Sequence, residues 1–332
     1  MKKLARVLMT TIIMLQSVCV CPQNVHTDHR YALLVNGGRN RLTNHERYWN
    51  DCSFLYRTLR NKFHIPKRNI TVLMSDGGDP EPDMLRADAR GFTSSPTDLD
   101  GDGQPDVNDA ATDHTLSNVL IKLSRELTSE DHLFLFVVDH GGSKDKQNDS
   151  YIWLWGDKQL SDKHLSLLIN LFDIGSINIL MGQCYSGGFI DDLIGNHRIM
   201  TTACSGSEQS WISPDKPYDE FVYHWICAVN GADEKGNRVD ADINGDGKVS
   251  MEEAYYYAMR HDRVNETPQY VSQPWELGTQ WAFEDILTGI GASPDSDTPA
   301  EVWSPSGVRR QDSSTHGVYI LRQGNKTRKV IR

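Results

Sequence analysis

Past residue 21 the sequence has no apolar stretch long enough to cross a bilayer, so we expect no transmembrane span. The start of the chain joins a basic segment, Met1–Arg6, to a short and mostly apolar segment, Val7–Leu15. This order is typical of a secretory signal peptide, which we predict over residues 1–21. We therefore expect an exported protein, located in the periplasm, at the cell surface or in the medium.

Cysteine is scarce as well. Only four cysteines lie beyond the predicted signal, namely Cys52, Cys184, Cys204 and Cys227. If one of them is a nucleophile, the other three allow one bridge but no disulfide framework. The fold must then depend on a hydrophobic core, and 332 residues with 38% hydrophobic content can form one sizeable α/β domain.

Positive charge is in deficit, because 34 Lys and Arg residues face 45 Asp and Glu residues, a formal charge of −11. This balance disfavours nucleic acid as a partner. Much of the acidity lies in two loops, 98–109 and 242–253. Both place oxygen-bearing side chains at loop positions 1, 3, 5, 9 and 12, with Gly at position 6. This spacing wraps oxygen ligands around Ca²⁺.

The second loop matches the EF-hand pattern in full and is followed by a helical pattern. Its expected ligands are Asp242, Asn244, Asp246, Lys248, Ser250 and Glu253. The first loop has Pro105 at position 8 and no clear incoming helix, so an acidic solvated turn is the alternative to an ion site. Its expected ligands are Asp98, Asp100, Asp102, Gln104, Asp106 and Asp109. We expect one or two structural calcium ions and no catalytic metal.

Two apolar runs end at residues with catalytic chemistry. Residues 133–138 are followed by His140 and two glycines, and residues 177–181 lead through Gly182 and Gln183 to Cys184. Short apolar runs bounded by Gly predict buried strands. If the two strands are parallel neighbours, a thiol and an imidazole emerge at the same edge of the sheet, where α/β sheets place ligand chemistry. Glycines beside them leave backbone N–H groups open to a ligand.

The order strand-His-Gly and then strand-Gln-Cys-x-Ser-Gly resembles the caspase, gingipain and legumain group of cysteine peptidases. Further segments are similar to the legumain-like branch over roughly residues 30–285: the run 33–38, the run 44–52, Ile65-Pro66 and the run 70–74. The resemblance implies a caspase-like α/β fold with a mostly parallel sheet and helices on both faces. The alternation of strand and helix patterns along the chain predicts the same class.

The resemblance also implies the catalytic roles. Cys184 is expected to attack the peptide carbonyl, and His140 to protonate the leaving amine. Backbone N–H groups of Gly141 and Cys184 would hold the oxyanion. Asn44 corresponds to the asparagine that orients the histidine, although a helix N-cap explains this residue type equally well. The expected partner is a protein or peptide substrate; the sequence does not indicate an oligomeric state.

The substrate pocket departs from the legumain pattern, in which an arginine, a glutamate and an aspartate hold asparagine. The matching positions here are Glu46, Tyr185 and Asp219. Loss of the arginine with retention of acids predicts a negative pocket. The sequence therefore suggests a preference for Arg or Lys before the scissile bond.

The peptidase domain is expected to cover residues 22–291, followed by a Ser, Pro and Asp-rich linker over 292–300. Residues 301–332 are basic and strand-like. They resemble the C-terminal sorting tails of Gram-negative bacteria with a type IX secretion route. A basic β-rich extension that packs on the acidic domain is the alternative.

Three other functions share parts of these patterns. An α/β-hydrolase with a cysteine nucleophile would use His197, His224 or His261, but its elbow needs Gly where Ser186 stands. A calcium-stabilised binding protein could retain the same fold without activity. A transamidase would use the same catalytic residues as a peptidase.

Overall fold

The computed structural model describes residues 28–144 and 149–284, together with the backbone of four strands between residues 301 and 331. The predicted signal peptide, 1–21, and the predicted linker, 292–300, lie outside the described residues. No helix in the described ranges is long and apolar enough to span a membrane.

A six-stranded sheet in the order β11-β10-β9-β5-β1-β2 forms the centre of the fold. Its strands pair in parallel except β11, which pairs antiparallel to β10. The strands are β1 Arg30–Asn36, β2 Ile70–Met74, β5 His132–Val137, β9 Ser176–Met181, β10 Arg198–Thr202 and β11 Gln269–Gln273. Shorter strands are β3 Met84–Leu85, β4 Phe92–Thr93, β6 Gly141–Ser143, β7 Ser150–Leu154 and β8 Lys158–Ser161.

Helices cover both faces of this sheet. Successive side chains of a strand point to opposite faces, and in β1 Ala32 and Leu34 belong to one buried cluster while Leu33 and Val35 belong to another. The first cluster is closed by α1 Glu46–Arg57, α5 Glu220–Asn230 and α6 Met251–His261. The second is closed by α2 Asp113–Glu126, α3 Asp162–Ile169 and α4 Ile190–Leu193.

Local sequence signals set several of these boundaries. The Thr112 side chain accepts a hydrogen bond from the N–H of Thr115 at the start of α2, and Ser161 caps α3 in the same way. A capping box between Ser250 and Glu253 begins α6. These caps satisfy backbone donors that have no partner within the helix.

The predicted fold class is confirmed: the sheet is mostly parallel and the architecture is a caspase-like α/β fold. Helix α1 ends at Arg57, and one π-helical turn, Thr58–Lys62, follows it. Helix α7, Trp275–Gln280, follows β11. Strand β11 combines polar residues with Tyr270 and Val271 and is only partly buried, as expected for a sheet edge.

The backbone of the C-terminal segment forms its own antiparallel sheet in the order β13-β12-β14-β15. The strands are β12 Glu301–Trp303, β13 Arg309–Arg310, β14 Val318–Gln323 and β15 Lys326–Ile331.

Candidate active site

The two predicted catalytic residues follow neighbouring strands in register. Strands β5 and β9 pair in parallel with Val137 opposite Met181, and His140 and Cys184 each lie three residues further on. The backbones beyond the strands remain in contact, since a Cβ atom on Gly141 would overlap the carbonyl oxygen of Cys184. Both side chains are half-buried, so neither is sealed from solvent. The structure therefore brings the thiol and the imidazole to one edge of the sheet.

The imidazole of His140 is fixed by a backbone carbonyl. Its Nε2 lies 2.8 Å from the carbonyl oxygen of Thr43, and because a carbonyl only accepts, Nε2 carries the proton. The nitrogen left to exchange a proton is therefore Nδ1. The rings of Tyr48 and His45 approach the imidazole edge-on at 5.3 and 5.5 Å between centroids. Burial lowers the pKa of His140, although the Thr43 carbonyl opposes the shift.

The Cys184 thiol contacts the segment that follows β10. Its Sγ lies 3.7 Å from the carbonyl oxygen of Ser210, to which the S–H donates, and 3.8 Å from the Ser210 hydroxyl. Burial raises the pKa of this thiol, and its contacts with Ser210 reduce the shift. The next residue, Tyr185, adopts the left-handed conformation with φ 59° and donates its N–H to Glu208. This left-handed residue directly follows Cys184 and begins the 3₁₀ turn Ser186–Phe189.

These two shifts favour a neutral thiol and a neutral imidazole in the resting site. An ion pair of thiolate and imidazolium would need the opposite shifts. The geometry suits nucleophilic attack by sulfur with His140 as the proton carrier.

The Asp139 carboxylate, which sequence reasoning did not single out, joins the ends of β1 and β5. It is buried and accepts hydrogen bonds from the N–H groups of Gly37 at 2.6 Å, Gly38 at 3.0 Å and His140 at 2.6 Å. These bonds hold the loop that carries Thr43 beside the histidine. An acid directly before a histidine at a strand end was the signal that could have revealed it.

Asn44 is buried, and the hydrogen bonds of its side chain in the described residues go to partners other than His140. Its Nδ2 donates to the Ser75 hydroxyl at 2.7 Å and to the Asp83 carbonyl at 3.1 Å. The alternative prediction of a helix cap at Asn44 is wrong, because the N-cap residue of α1 is His45. In the described part of the chain, His140 Nε2 donates to the carbonyl of Thr43, which is the residue before Asn44.

The predicted pocket residues are in different surroundings from those expected. Glu46 accepts a hydrogen bond from the N–H of Ala87. Asp219 is buried and pairs with Arg47, a residue that the sequence comparison passed over by one position; Arg47 Nε lies 2.7 Å from Asp219 Oδ1. Arg47 also donates to the Tyr48 hydroxyl at 2.8 Å. Tyr185 lies directly after Cys184, and its backbone adopts the left-handed conformation.

The charges around Asp219 largely cancel. Burial opposes the charge on Arg47, but Asp219 and Tyr48 outweigh it and raise the pKa of the guanidinium. Burial, and then the nearby Asp219, raise the pKa of Asp51 well above its usual range; burial also raises the pKa of Asp219, although Arg47 opposes that shift. Arg47 and Asp219 thus form an ion pair near Cys184. The preference for Arg or Lys that the sequence suggests stays a prediction.

The second acidic loop has the chemistry of a calcium ligand set, three carboxylates and an amide arranged by a tight turn. Gly247, at loop position 6, has φ 88°, which a residue with a side chain rarely adopts. Asp242 accepts from the N–H groups of Gly245 and Gly247, and Glu253 Oε1 accepts from those of Ile243 and Asn244. The position-12 carboxylate therefore turns back over the loop, where Oε1 accepts from Ile243 and Asn244 and Oε2 accepts from Ser250. The side-chain oxygens of this loop are of the type that a hard cation prefers.

The first acidic loop is different because a lysine reaches into it. In the described residues, Asp98, Asp100 and Asp106 bring potential ligand oxygens within 4.8 Å of one another. However, Asp106 Oδ1 accepts from Lys67 Nζ at 2.6 Å and from the Tyr56 hydroxyl at 2.7 Å. Its Oδ2 accepts from the N–H of Leu99 at 2.8 Å. The ammonium group of Lys67 thus binds the carboxylate of Asp106, which is the ligand expected at loop position 9.

The histidines needed by an α/β-hydrolase are placed elsewhere. His197 directly precedes β10, at the opposite end of that strand from the cleft. His224 and His261 lie on α5 and α6, with His224 Nε2 3.4 Å from Glu220.

The fold and site together define a caspase-like α/β protein with a cysteine and a histidine at adjacent strand ends. Residues 112–237, which include both, match the model of the Peptidase C13 family. The match covers less than half of the chain and supports a legumain-like cysteine peptidase family. No curated protein matches the chain. A crystal structure of a protein from Geobacter sulfurreducens is similar at a TM-score of 0.42 and 13% identity, covering 74% of this chain and 93% of that one.

Proposed function

We propose that this protein is an exported cysteine endopeptidase that uses Cys184 and His140 as a catalytic dyad. The observation that carries the proposal is the parallel register of β5 and β9, which brings His140 and Cys184 to one edge of the sheet. The family match over residues 112–237 supports the same reaction class.

In the proposed reaction, Sγ of Cys184 attacks the carbonyl carbon of the scissile peptide, and the thiol proton passes to Nδ1 of His140. N–H groups of Gly141 and Cys184 stabilise the oxyanion. His140 then gives its proton to the leaving amine, and the C–N bond breaks to leave a thioester. Water, deprotonated by His140, hydrolyses the thioester to a carboxylic acid and restores the thiol. In this proposal Asn44 positions His140 indirectly, because it follows Thr43, whose carbonyl accepts from the imidazole.

A peptide-library cleavage assay on wild type, Cys184→Ala and His140→Ala tests the proposal. Both variants should lose cleavage, and a peptidyl acyloxymethyl ketone should label Cys184 alone. The buried thiols of Cys52, Cys204 and Cys227 serve as internal controls for that labelling. Cleavage that persists in Cys184→Ala would reject the dyad. Absence of both cleavage and labelling would favour the binding-protein alternative, and amide products formed with added amines would favour a transamidase.

Substrate preference is a separate part of the proposal. A preference for Arg or Lys requires the substrate cation to compete with Arg47 for Asp219. The pairing of Arg47 with Asp219 supports a different side chain, a carboxamide, which can accept from a guanidinium and donate to a carboxylate. Peptides that differ only in Asn, Arg or Lys before the scissile bond distinguish the two. Faster turnover of the Arg and Lys peptides would reject the carboxamide preference.

Location and metal content complete the proposal. The N-terminal pattern supports export, and the basic C-terminal segment supports a Gram-negative source. The second acidic loop, with Glu253 folded over it, supports one structural Ca²⁺ held by Asp242, Asn244, Asp246, Lys248, Ser250 and Glu253. Such an ion would brace the start of α6 and take no part in the chemistry.

A further inference from the structure

Residues 210 and 211, which we call the Ser210 wall, belong to the segment after β10 and lie beside Cys184. The carbonyl and the hydroxyl of Ser210 both contact the sulfur of Cys184. The indole of the next residue, Trp211, is 48% exposed. The position of this wall therefore determines how the thiol is held before a substrate arrives.

The Ser210 wall is hydrogen-bonded to a carboxyl group from another part of the chain. The N–H of Trp211 donates to Glu266 Oε2 at 2.8 Å. Glu266 lies on the segment between α6 and β11, 55 residues along the sequence. Glu266 is thus hydrogen-bonded to the residue next to Ser210, and Ser210 contacts the sulfur of Cys184.

The other oxygen of Glu266 faces a second carboxyl group. Glu266 Oε1 and Asp262 Oδ2 are both buried and have no donor partner among the described residues. The two side chains interact with each other, while Asp262 Oδ1 accepts from the N–H of Val264 at 3.0 Å. Two carboxylates only accept, so a hydrogen bond between them requires one shared proton.

The surroundings favour retention of that proton. Acidic groups face the pair from α5 and the residue before it, Glu220 and Asp219, and the thiol of Cys204 lies near Glu266. Arg263, which follows Asp262 in the chain, is engaged with Glu220 at 2.6 Å and with Asp215 at 2.6 Å. Burial, and then the charge of Asp262, raise the pKa of Glu266 to about 9.

We infer that Glu266 is a positioning residue of the active site: as the neutral acid, it shares a proton with Asp262 and holds the Ser210 wall against Cys184. The inference rests on the proposed peptidase function. Loss of the proton would leave two like charges side by side in a buried place. The wall would then be released, and the thiol would lose its fixed contact.

The variants Glu266→Gln and Asp262→Asn test this role because each replaces the shared proton with an amide N–H of similar shape. In Glu266→Gln the amide oxygen can still accept from Trp211 while its NH₂ donates to Asp262. Both variants should cleave peptides within about threefold of wild type at pH 7. Glu266→Ala, which has neither oxygen, should lose at least about tenfold, mainly in kcat. Glu130→Gln, at an exposed turn before β5, is the matched control.

The decisive measurement is the pH profile of kcat between pH 6 and 10. Wild type and Glu130→Gln should show a descending limb near pH 9, falling by up to about tenfold per pH unit above it. In Glu266→Gln and Asp262→Asn this limb should move upward by at least about one pH unit. A limb at the same pH in all four proteins would overturn the inference.

Further outcomes separate this inference from the peptidase proposal. Cleavage that disappears in Cys184→Ala but shows no shifted limb in the amide variants rejects only the role of Glu266. Cleavage that persists in Cys184→Ala rejects the proposed function itself. If Glu266→Ala is too unstable to assay, the two amide variants still decide the question, because their folded shape is kept.

Discussion

Gly141 packs directly against the carbonyl group of Cys184. A methyl group at position 141 would overlap that oxygen and would lie 2.7 Å from Cγ of Gln183. The atom in the way belongs to the backbone of the nucleophile, so it cannot move aside as a flexible side chain would. The close approach of the two strand-end loops therefore depends on the absence of a side chain at Gly141.

Gly141→Ala is expected to separate the two loops and misplace the nucleophile relative to His140. A displacement of about 1 Å can cost about a hundredfold in rate, and overpacking of this kind costs about 1–3 kcal/mol of stability. Peptide cleavage and urea unfolding measure the two effects. Gly78→Ala is the matched control, because a Cβ there meets nothing within 4 Å. Near-normal activity in Gly141→Ala would show that the loops do not need this contact.

The reactivity of the Cys184 thiol should rise with pH into the alkaline range. Burial raises the pKa of this thiol and lowers the pKa of His140, so a stable ion pair at neutral pH is not expected. The alkylation rate with iodoacetamide, followed by mass spectrometry, should increase about tenfold per pH unit up to at least pH 9. The rate in His140→Ala should stay within about threefold of wild type at pH 9. A plateau below pH 8 would instead indicate an ion-paired thiolate.

The main strands, and the position of His140 and Cys184 just beyond two of them, could be predicted from sequence because the information is local. Apolar runs such as 133–138 and 177–181 can only be buried, and a residue three positions past the end of each strand must lie at the sheet edge. The edge strand β11 could not be found in this way, since only Tyr270 and Val271 in it are apolar or aromatic and the strand is only partly buried. Its place is set by pairing with β10.

The partners of the site residues were beyond the reach of sequence reasoning because they are distant in the chain. Arg47 meets Asp219 across 172 residues, and His140 meets the carbonyl of Thr43 across 97 residues. A backbone carbonyl leaves no signature in the residue type. Lys67 likewise enters the first acidic loop from a short 3₁₀ helix before β2. A motif defined by residue spacing describes only the ligands within a loop. It therefore cannot predict that Lys67 enters the loop from outside.

The pair of Arg47 and Asp219 should contribute to stability as well as to the pocket. Their side chains are 19% and 6% exposed, so removal of the cation leaves a buried carboxylate beside Asp51. Arg47→Met should lower the free energy of unfolding by about 3 kcal/mol. The double variant Arg47→Met/Asp219→Leu should recover part of this loss, because no unpaired charge remains.

Urea unfolding at pH 7 measures these effects, with Arg238→Met as the control. Arg238 is 87% exposed and lies 3.9 Å from Asp240, so its removal should change stability little. Equal losses in the single and double variants would mean that the ion pair itself, and not a stranded charge, supplies the stability.

Calcium should stabilise the protein through the second acidic loop alone. At a free concentration of about 100 times Kd, one bound ion adds about 2.7 kcal/mol to the free energy of unfolding. Thermal unfolding with Ca²⁺ and with a chelator measures this shift, and Glu253→Gln should abolish it because position 12 loses its bidentate carboxylate. Asp100→Asn, in the first loop, should keep the shift, since Lys67 already supplies a cation there. Isothermal titration should accordingly find one ion per chain in wild type and none in Glu253→Gln. Two ions in wild type, with one lost in Asp100→Asn, would show that Ca²⁺ displaces Lys67 from Asp106.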